Sequence, residues 1–392
     1  MLFLFACLGT KVQDTAQASV VESPVDDPAQ YDVDDGVDYV LELGDPQWVV
    51  PADNLPVEDE HQASNNNVDI VLFAGRLFLS WRTGPNHFAS TETEMWIVSS
   101  ADMGQTWSFE HRIALEADVR EPRFFVWNDV LHLIMFEAGT NPAAFEPLQM
   151  WRTERIAEGL WQDPEPFGPA ETVPWDVKVR NGRIWMTTYD GAHYGTGDVF
   201  VRFWVSDDGY NWSYVDDQPH VYVGGVSEVA FEFDAAGDLW AVGRNEDGDQ
   251  SGAGTNICFA EAAHLGTWSC SAEADPERYD SPELFRHGSQ IYLAARRDID
   301  GPFGPEGNLL TYSMRPKRSS LYRLDTESAA VVHIQDIPGV GDTAFPSIHR
   351  VDTHQFILAN YTSPLDDPDI SWLDGQLGET KIYLMDIRFR VE

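Results

Sequence analysis

Lysine is nearly missing from this 392-residue chain, which has only Lys11, Lys178, Lys317 and Lys381. Lys and Arg together number 25 against 65 Asp and Glu, a formal net charge of −40. A surface so acidic repels a phosphate backbone, so nucleic acid is excluded as a partner. It also means that any cluster of arginines needs a specific reason. Cysteine is scarce, with three residues, which excludes a disulfide-dense scaffold. No segment is apolar enough over sufficient length to span a membrane as a helix. No long stretch keeps a helical period, and Trp, Tyr and Phe are plentiful among short apolar runs, so β structure is expected. P-loop, dinucleotide, His-Glu-x-x-His and zinc-ligand spacings are all missing, so no cofactor or metal is expected.

Residues 8–36 are polar, acidic and Pro-containing and read as a flexible linker. From residue 37 to residue 392 the chain repeats itself. An apolar strand, a tight turn and a second apolar strand recur about every 50 residues. The second strands end at Arg82, Phe136, Tyr189, Arg244, Arg296 and Tyr361. Turns such as Ala74-Gly75-Arg76 and Asn181-Gly182-Arg183 precede them, as hairpins require. Another strand pair follows each of these. Four strands per repeat and six repeats predict an all-β, six-bladed propeller. The sixth repeat owns only three strands, so residues 38–45 are expected to supply its fourth and close the ring. Cys258 and Cys270 flank a predicted hairpin, which points to a cross-strand disulfide, with two buried thiols as the alternative.

The turn in the first repeat, Ser100-Ala101-Asp102-Met103-Gly104-Gln105-Thr106-Trp107, matches the Asp-box pattern S-x-D-x-G-x-T-W. A partial copy, Asp207-Asp208-Gly209-Tyr210-Asn211-Trp212, puts Val205 at the Ser position. With the six-fold period, these turns make the chain resemble the sialidase superfamily of propellers. A second resemblance lies at the start. Residues 2–7 form a short apolar run ending in Cys7, similar to a bacterial lipoprotein signal but without a basic n-region. It implies a secreted, periplasmic or cell-surface protein, tethered to a membrane through lipid on Cys7.

The sialidase resemblance implies a site at the funnel. Arg82, Arg244 and Arg296 share one register, and Tyr361 occupies it in the sixth repeat. Glu228 begins the innermost strand of the fourth. In sialidases three arginines grip the carboxylate of sialic acid and a Glu-assisted Tyr attacks the sugar. The implied roles are therefore carboxylate binding by Arg82, Arg244 and Arg296, attack by Tyr361 and proton removal by Glu228. The innermost strand of the first repeat, Asn67-Val68-Asp69-Ile70-Val71, lacks the family's arginine, so Arg82 or Arg120 would stand in. Loop 83–94 lacks the family's acidic Asp, which leaves Asp69, Glu92 or His87 for the acid. Glu121, Arg123, Asp176, Asp190, Glu283 and Arg297 are further rim candidates. Arg296 and Arg297 point apart by strand alternation, which leaves open the one facing inward. The resemblance implies an exo-sialidase acting on sialylated or other acidic glycans. A propeller that binds glycans or protein at the rim without catalysis is the other reading.

Overall fold

The computed structural model describes residues 26–27, 37–56, 61–304 and 307–391. Its strands form six antiparallel sheets of four or five strands, arranged as six blades around a central channel. Blade one runs outward through Ser64–Phe73, Arg76–Gly84, Glu94–Ser100 and Ser108–Ile113. The innermost strands of blades two to six are Asp118–Trp127, Val173–Arg180, Val226–Phe233, Asp280–His287 and Ala344–Asp352. Their second strands are Val130–Ala138, Arg183–Gly191, Leu239–Asp249, Gln290–Asp298 and Gln355–Thr362. The ring closes as expected. Tyr39–Leu43 pairs antiparallel with the C-terminal strand Lys381–Val391, Tyr39 opposite Val391 and Leu43 opposite Ile387.

Most innermost strands are buried along nearly their whole length, because one face meets the preceding blade and the other the following one. The packing between blades is aromatic. Trp81, Trp96 and Trp175 are at most 1% exposed and lie in one cluster with Val68, Phe136 and Tyr361. Burying one such indole supplies about 5 kcal/mol of transfer free energy. Cys258 and Cys270 stand opposite each other on the outer strands of blade four and form the disulfide.

The turns that carry the resemblance join the third and fourth strands, on the face away from the funnel. In blade one Ser100 Oγ accepts the Gly104 N–H at 2.7 Å, and Asp102 accepts the Thr106 N–H at 2.8 Å and its hydroxyl at 2.7 Å. These bonds, the Thr106 hydroxyl first, hold the Asp102 carboxyl down to about 2. Blade three corrects the sequence alignment. Ser206, not Val205, accepts the Gly209 N–H at 2.9 Å, and Asp208, not Asp207, accepts the Tyr210 and Asn211 N–H groups at 2.8 and 2.7 Å. This turn is one residue shorter, with the Asn211 amide on Asp208 where Thr106 meets Asp102. Asp207 is exposed and pairs with Arg183 at 2.6 Å. Trp107 is buried, whereas Trp212 packs half-buried against Phe125.

Two expectations concern the N-terminal part. Cys7 and the 1–7 signal-like run lie outside the described residues. Of the linker 8–36, Asp26 and Asp27 are described, and they are held against the propeller rather than free.

Gly104 has φ +87°, and a Cβ there would come within 2.7 Å of Leu384 Cδ1 in blade six. Gly75 has φ +74° with nothing within 4 Å of its Cβ position. Gly75→Ala should therefore cost about 1 kcal/mol from backbone strain alone. Gly104→Ala should cost about 1–3 kcal/mol more, because strain and overlap add. Urea denaturation of both variants measures the difference; equal losses would mean that the turn does not press on blade six.

Candidate functional site

All six innermost strands slip register where they enter the funnel. The irregularities fall at Asn67, Glu121-Pro122, Trp175, Ser227-Glu228, Ser281-Pro282 and Phe345-Pro346. Asn67, Glu121, Ser281 and Phe345 have φ between 48° and 54°, from 49° at Asn67 to 53° at Glu121. A bulge leaves one residue unpaired, turns its side chain out of the sheet and tolerates proline, since the ladder N–H is not needed there. Six bulges at one level therefore aim a ring of side chains at the axis. Trp175 and Phe345, with ring centroids 5.3 Å apart, belong to the floor of the funnel.

Above this ring lies a dense charged layer. Asp118, Asp280 and Asp342 begin or immediately precede innermost strands, and all three are fully buried. Arg296 Nη2 meets Asp280 at 2.6 Å and Arg278 Nε meets it at 2.5 Å, with Arg244 Nη1 3.8 Å away. Burial opposes ionisation of Asp280, but the Arg278, Arg296 and Arg244 guanidiniums outweigh it and hold the carboxyl below its usual range. Arg244 also pairs with Glu228 at 2.9 Å and Glu246 at 3.1 Å. Aromatic faces cover these cations: Trp372 lies 4.4 Å over Arg296 and Tyr312 lies 4.1 Å over Arg278.

Tyr361 is fully buried beside this layer, and its hydroxyl donates to Asp342 Oδ1 at 3.2 Å. Burial, with the Asp342 carboxylate adding to it, pushes the phenol well above its ordinary value, so it carries its proton. Asp342 also meets His87 Nδ1 at 2.8 Å and the Trp372 indole N–H at 3.3 Å. An ionised Asp342 can only accept, so His87 donates from Nδ1. Burial lowers the His87 value despite the facing carboxylate, which keeps the ring neutral near pH 7.

The structure brings together Tyr361, Glu228, Arg244, Arg296 and Arg120, but not in every expected role. Glu228 does not meet the Tyr361 hydroxyl. Its carboxylate is engaged by Arg244 and by the Ser281 N–H at 2.8 Å, which ties blade four to blade five; the partner of Tyr361 is Asp342. Arg82 is sealed, with no exposed surface, between Asp118 at 2.7 Å and the carbonyls of Asn86 and Phe88 at 3.1 and 2.9 Å. Its Nε, Nη1 and Nη2 are all engaged by protein partners. Arg297 points outward, 37% exposed in its side chain, and pairs with Asp336 at 3.1 Å. Asp69 lies below the funnel floor, in the enclosed stretch of channel that Lys178 and Glu283 also line. There it accepts from Ser347 Oγ at 2.6 Å and the Phe124 N–H at 2.5 Å, joining three innermost strands. Its carboxyl is raised to about 6, chiefly by burial. Arg123 also lies by the floor, 5.2 Å from the Trp175 ring centroid. Asp176 pairs with Lys178 within the channel, and Asp190 pairs with Arg202 at the outer side of blade three. Glu92 bonds through its backbone in an exposed loop.

Arg120 lies at the edge of the cleft. Its Nε meets Asp118 at 2.5 Å and its Nη2 the His87 carbonyl at 2.6 Å, and its side chain is 14% exposed. Arg120 and Arg296 each leave Nη1 without a hydrogen-bond partner among the described residues, and both lie within electrostatic range of Tyr361. Glu121, next to Arg120, is turned into the funnel by its bulge and accepts from Asn67 Nδ2 at 3.1 Å. Burial raises its carboxyl to about 8 against the pull of Arg123, with Glu228 adding to the rise. It is thus a protonated acid near neutral pH. A cleft of about 710 Å³ opens above, between His87, Arg120, Phe145, His193, Tyr194 and Trp372.

Sequence reasoning missed Asp342, Asp280, Arg278, Glu246, Tyr312 and Trp372. A usable signal was present for part of the layer. Glu121-Pro122, Ser281-Pro282 and Phe345-Pro346 put proline inside innermost strands, where only a bulge admits it.

No protein-family model matches the chain, and no curated protein matches it in sequence. Solved structures match in shape. A protein of unknown function from Dyadobacter fermentans DSM 18053 aligns with TM-score 0.62 at 14% identity, over 89% of this chain and 99% of that one. Trypanosoma rangeli sialidase in complex with sialic acid gives TM-score 0.58 at 14% identity, over 90% of this chain and 59% of that one. Phage phi92 endosialidase gives TM-score 0.57 at 10% identity, over 90% and 69%. The chain thus spans less than two thirds of the trypanosomal sialidase. At such identities the likeness is one of fold.

The raised Glu121 value has a consequence for stability. Its folded value of about 8 exceeds the ordinary 4.5, so its neutral form favours folding fully below pH 4.5 and that contribution is lost as pH rises through 8. Glu121→Gln keeps the amide contact and removes the ionisation. Relative to the parent, the variant should gain stability between pH 5 and 8, on the order of 4 kcal/mol at the upper end. Urea melts of both proteins across that range measure it; a pH-independent difference would show that Glu121 is already ionised at pH 5.

Proposed function

We propose that the protein is a glycoside hydrolase of the sialidase type, which removes a terminal sialic acid or a related carboxylated sugar from glycans. One observation carries the reading: Arg120 and Arg296, each with an Nη1 that has no hydrogen-bond partner among the described residues, both lie within electrostatic range of Tyr361. A guanidinium pair is suited to a carboxylate, and a carboxylate held there sets the anomeric carbon beside the phenol. A neutral Tyr is a better attacker than a carboxylate at an anionic sugar. In this reading Asp342, which already accepts the Tyr361 proton in a hydrogen bond, takes it during attack, and His87 holds Asp342 in place. Glu121 has the protonated state that a departing alkoxide needs. Arg244, held by Glu228 and Glu246, serves as a fixed positive neighbour. The fold likeness to sialidases supports the substrate class, and the phi92 endosialidase likeness allows an internal linkage as well as a terminal one.

A specific observation favours a second reading, in which the funnel binds glycans without cleaving them. Arg82, Arg244 and Arg278 are already neutralised by Asp118, Glu228, Glu246 and Asp280, so the layer carries little net positive charge. Localisation outside the cytoplasm and tethering through Cys7 accord with either reading, as does the disulfide.

Turnover of a fluorogenic sialoside by the purified protein separates them. On the hydrolase reading Tyr361→Phe and Asp342→Asn each lower kcat by about 10²–10⁴-fold. Arg120→Ala raises KM more than it lowers kcat, and Glu121→Gln hurts a natural sialoside more than an aryl one, which leaves without a proton. No turnover with sialoglycan binding retained would move the assignment to the binding reading. Neither turnover nor binding would remove the funnel as a carboxylate site.

A further inference from the structure

The channel has a second mouth, at the end of the propeller away from Tyr361, where the innermost strands finish. Arg180 ends the innermost strand of blade three, Arg286 nearly ends that of blade five, and His349 and Arg350 lie near the end of that of blade six. All four are at least nine-tenths buried, with Arg350 2% exposed and His349 7%. In a chain of net charge −40, a buried basic cluster requires counter-charge. Glu232 supplies part of it, meeting Arg180 Nε at 2.9 Å and Nη2 at 2.8 Å.

A further carboxylate comes from far away in the chain. The Asp26 carboxylate sits among Arg180 at 3.7 Å, Arg350 at 3.8 Å and His349 at 3.9 Å. Its backbone carbonyl accepts from Arg180 Nη1, across 154 residues of sequence. Asp27 is 7% exposed, and its Oδ2 accepts the Asn181 N–H at 3.0 Å, in the turn between the first two strands of blade three. Asp26 and His349 both line the enclosed stretch of channel, and His349 Nε2 is buried there with no hydrogen-bond partner among the described residues. One carboxylate shared by two guanidiniums beside the His349 imidazole, and a second capping a backbone N–H, amount to a receptor for two consecutive aspartates.

We propose that the second mouth is a binding site for an Asp-Asp peptide segment, and that Asp26-Asp27 is its resident ligand. The N-terminal segment is thereby latched across the channel, on the face opposite the Tyr361 funnel. The proposal is independent of the chemistry at Tyr361.

The test uses the full chain carrying Asp26→Asn and Asp27→Asn together, with unchanged near-ultraviolet circular dichroism as the check on folding. Hydrogen exchange at the Asn181 amide should speed by about tenfold or more in the variant, because its acceptor is weakened. A labelled synthetic peptide of residues 20–34 should bind the variant and restore Asn181 protection. It should bind the parent protein at least about tenfold more weakly, since the site is filled. A peptide with both aspartates replaced by asparagine should bind neither. Equal Asn181 exchange in the two proteins would overturn the proposal, as would equal peptide binding to both, no binding to the variant, or binding of the asparagine peptide. Should the double variant lose its fold, Asp27→Asn alone gives the same exchange readout at Asn181.

Discussion

Closure of the ring is the constraint on which the rest depends. The pairing of Tyr39–Leu43 with Lys381–Val391 joins the two ends of the propeller in one sheet. It completes blade six, leaving the five-residue strand Tyr39–Leu43 at its outer edge, and sets the position of every blade around one axis. Only in a closed ring do residues as distant as Arg120 in blade two, Arg296 in blade five and Tyr361 in blade six face a common space. The same closure makes a channel with two ends. It separates a funnel lined by strand beginnings from a mouth lined by strand endings.

Within that frame, register shifts on the innermost strands decide what enters the axis. A regular strand in this position would alternate its side chains between the two neighbouring blades and present few of them to the channel. The bulges at Glu121, Glu228, Ser281 and Phe345 break the alternation and turn those residues inward. Carboxylates then bond across the channel wall. Asp69 reaches the Phe124 N–H, Asp176 the Phe231 N–H and Glu228 the Ser281 N–H. Acidic groups near the axis therefore serve two ends. Some fasten neighbouring blades, and others stay near the axis, Asp342 against the Tyr361 hydroxyl and the buried Glu121 against the Asn67 amide. The paired arginines follow the same division, with Arg82 built into the wall and Arg120 at the surface of the cleft.

Much of the fold was legible because repetition is visible in one dimension. Six strand ends at similar intervals, a hairpin turn before most of them, a three-stranded last repeat and an orphan strand near residue 40 suffice for a closed six-bladed ring. The cysteine pair was legible for the same reason, since a hairpin puts its flanks opposite each other. The site was legible only in outline. Shared register located Arg244, Arg296 and Tyr361 at the funnel, but register says nothing of partners. It could not tell that Asp342, rather than Glu228, meets the phenol, or that Arg82 is enclosed by its own loop. The second turn motif was misaligned by one residue because an Asp-Asp pair offers two candidates, and only hydrogen bonds distinguish Asp208 from Asp207.

By itself the sequence determined the architecture, the number of blades and the placing of the two outer-strand cysteines opposite each other. These follow from local periodicity and turn chemistry, which any segment expresses through its own residues. Tertiary structure decided which charges pair, which carboxyls keep their protons and where the N-terminal aspartates lie. Those depend on distances between residues far apart in the chain and on burial created only when the blades close. Coulomb energy and desolvation are functions of that geometry, and composition carries no record of it.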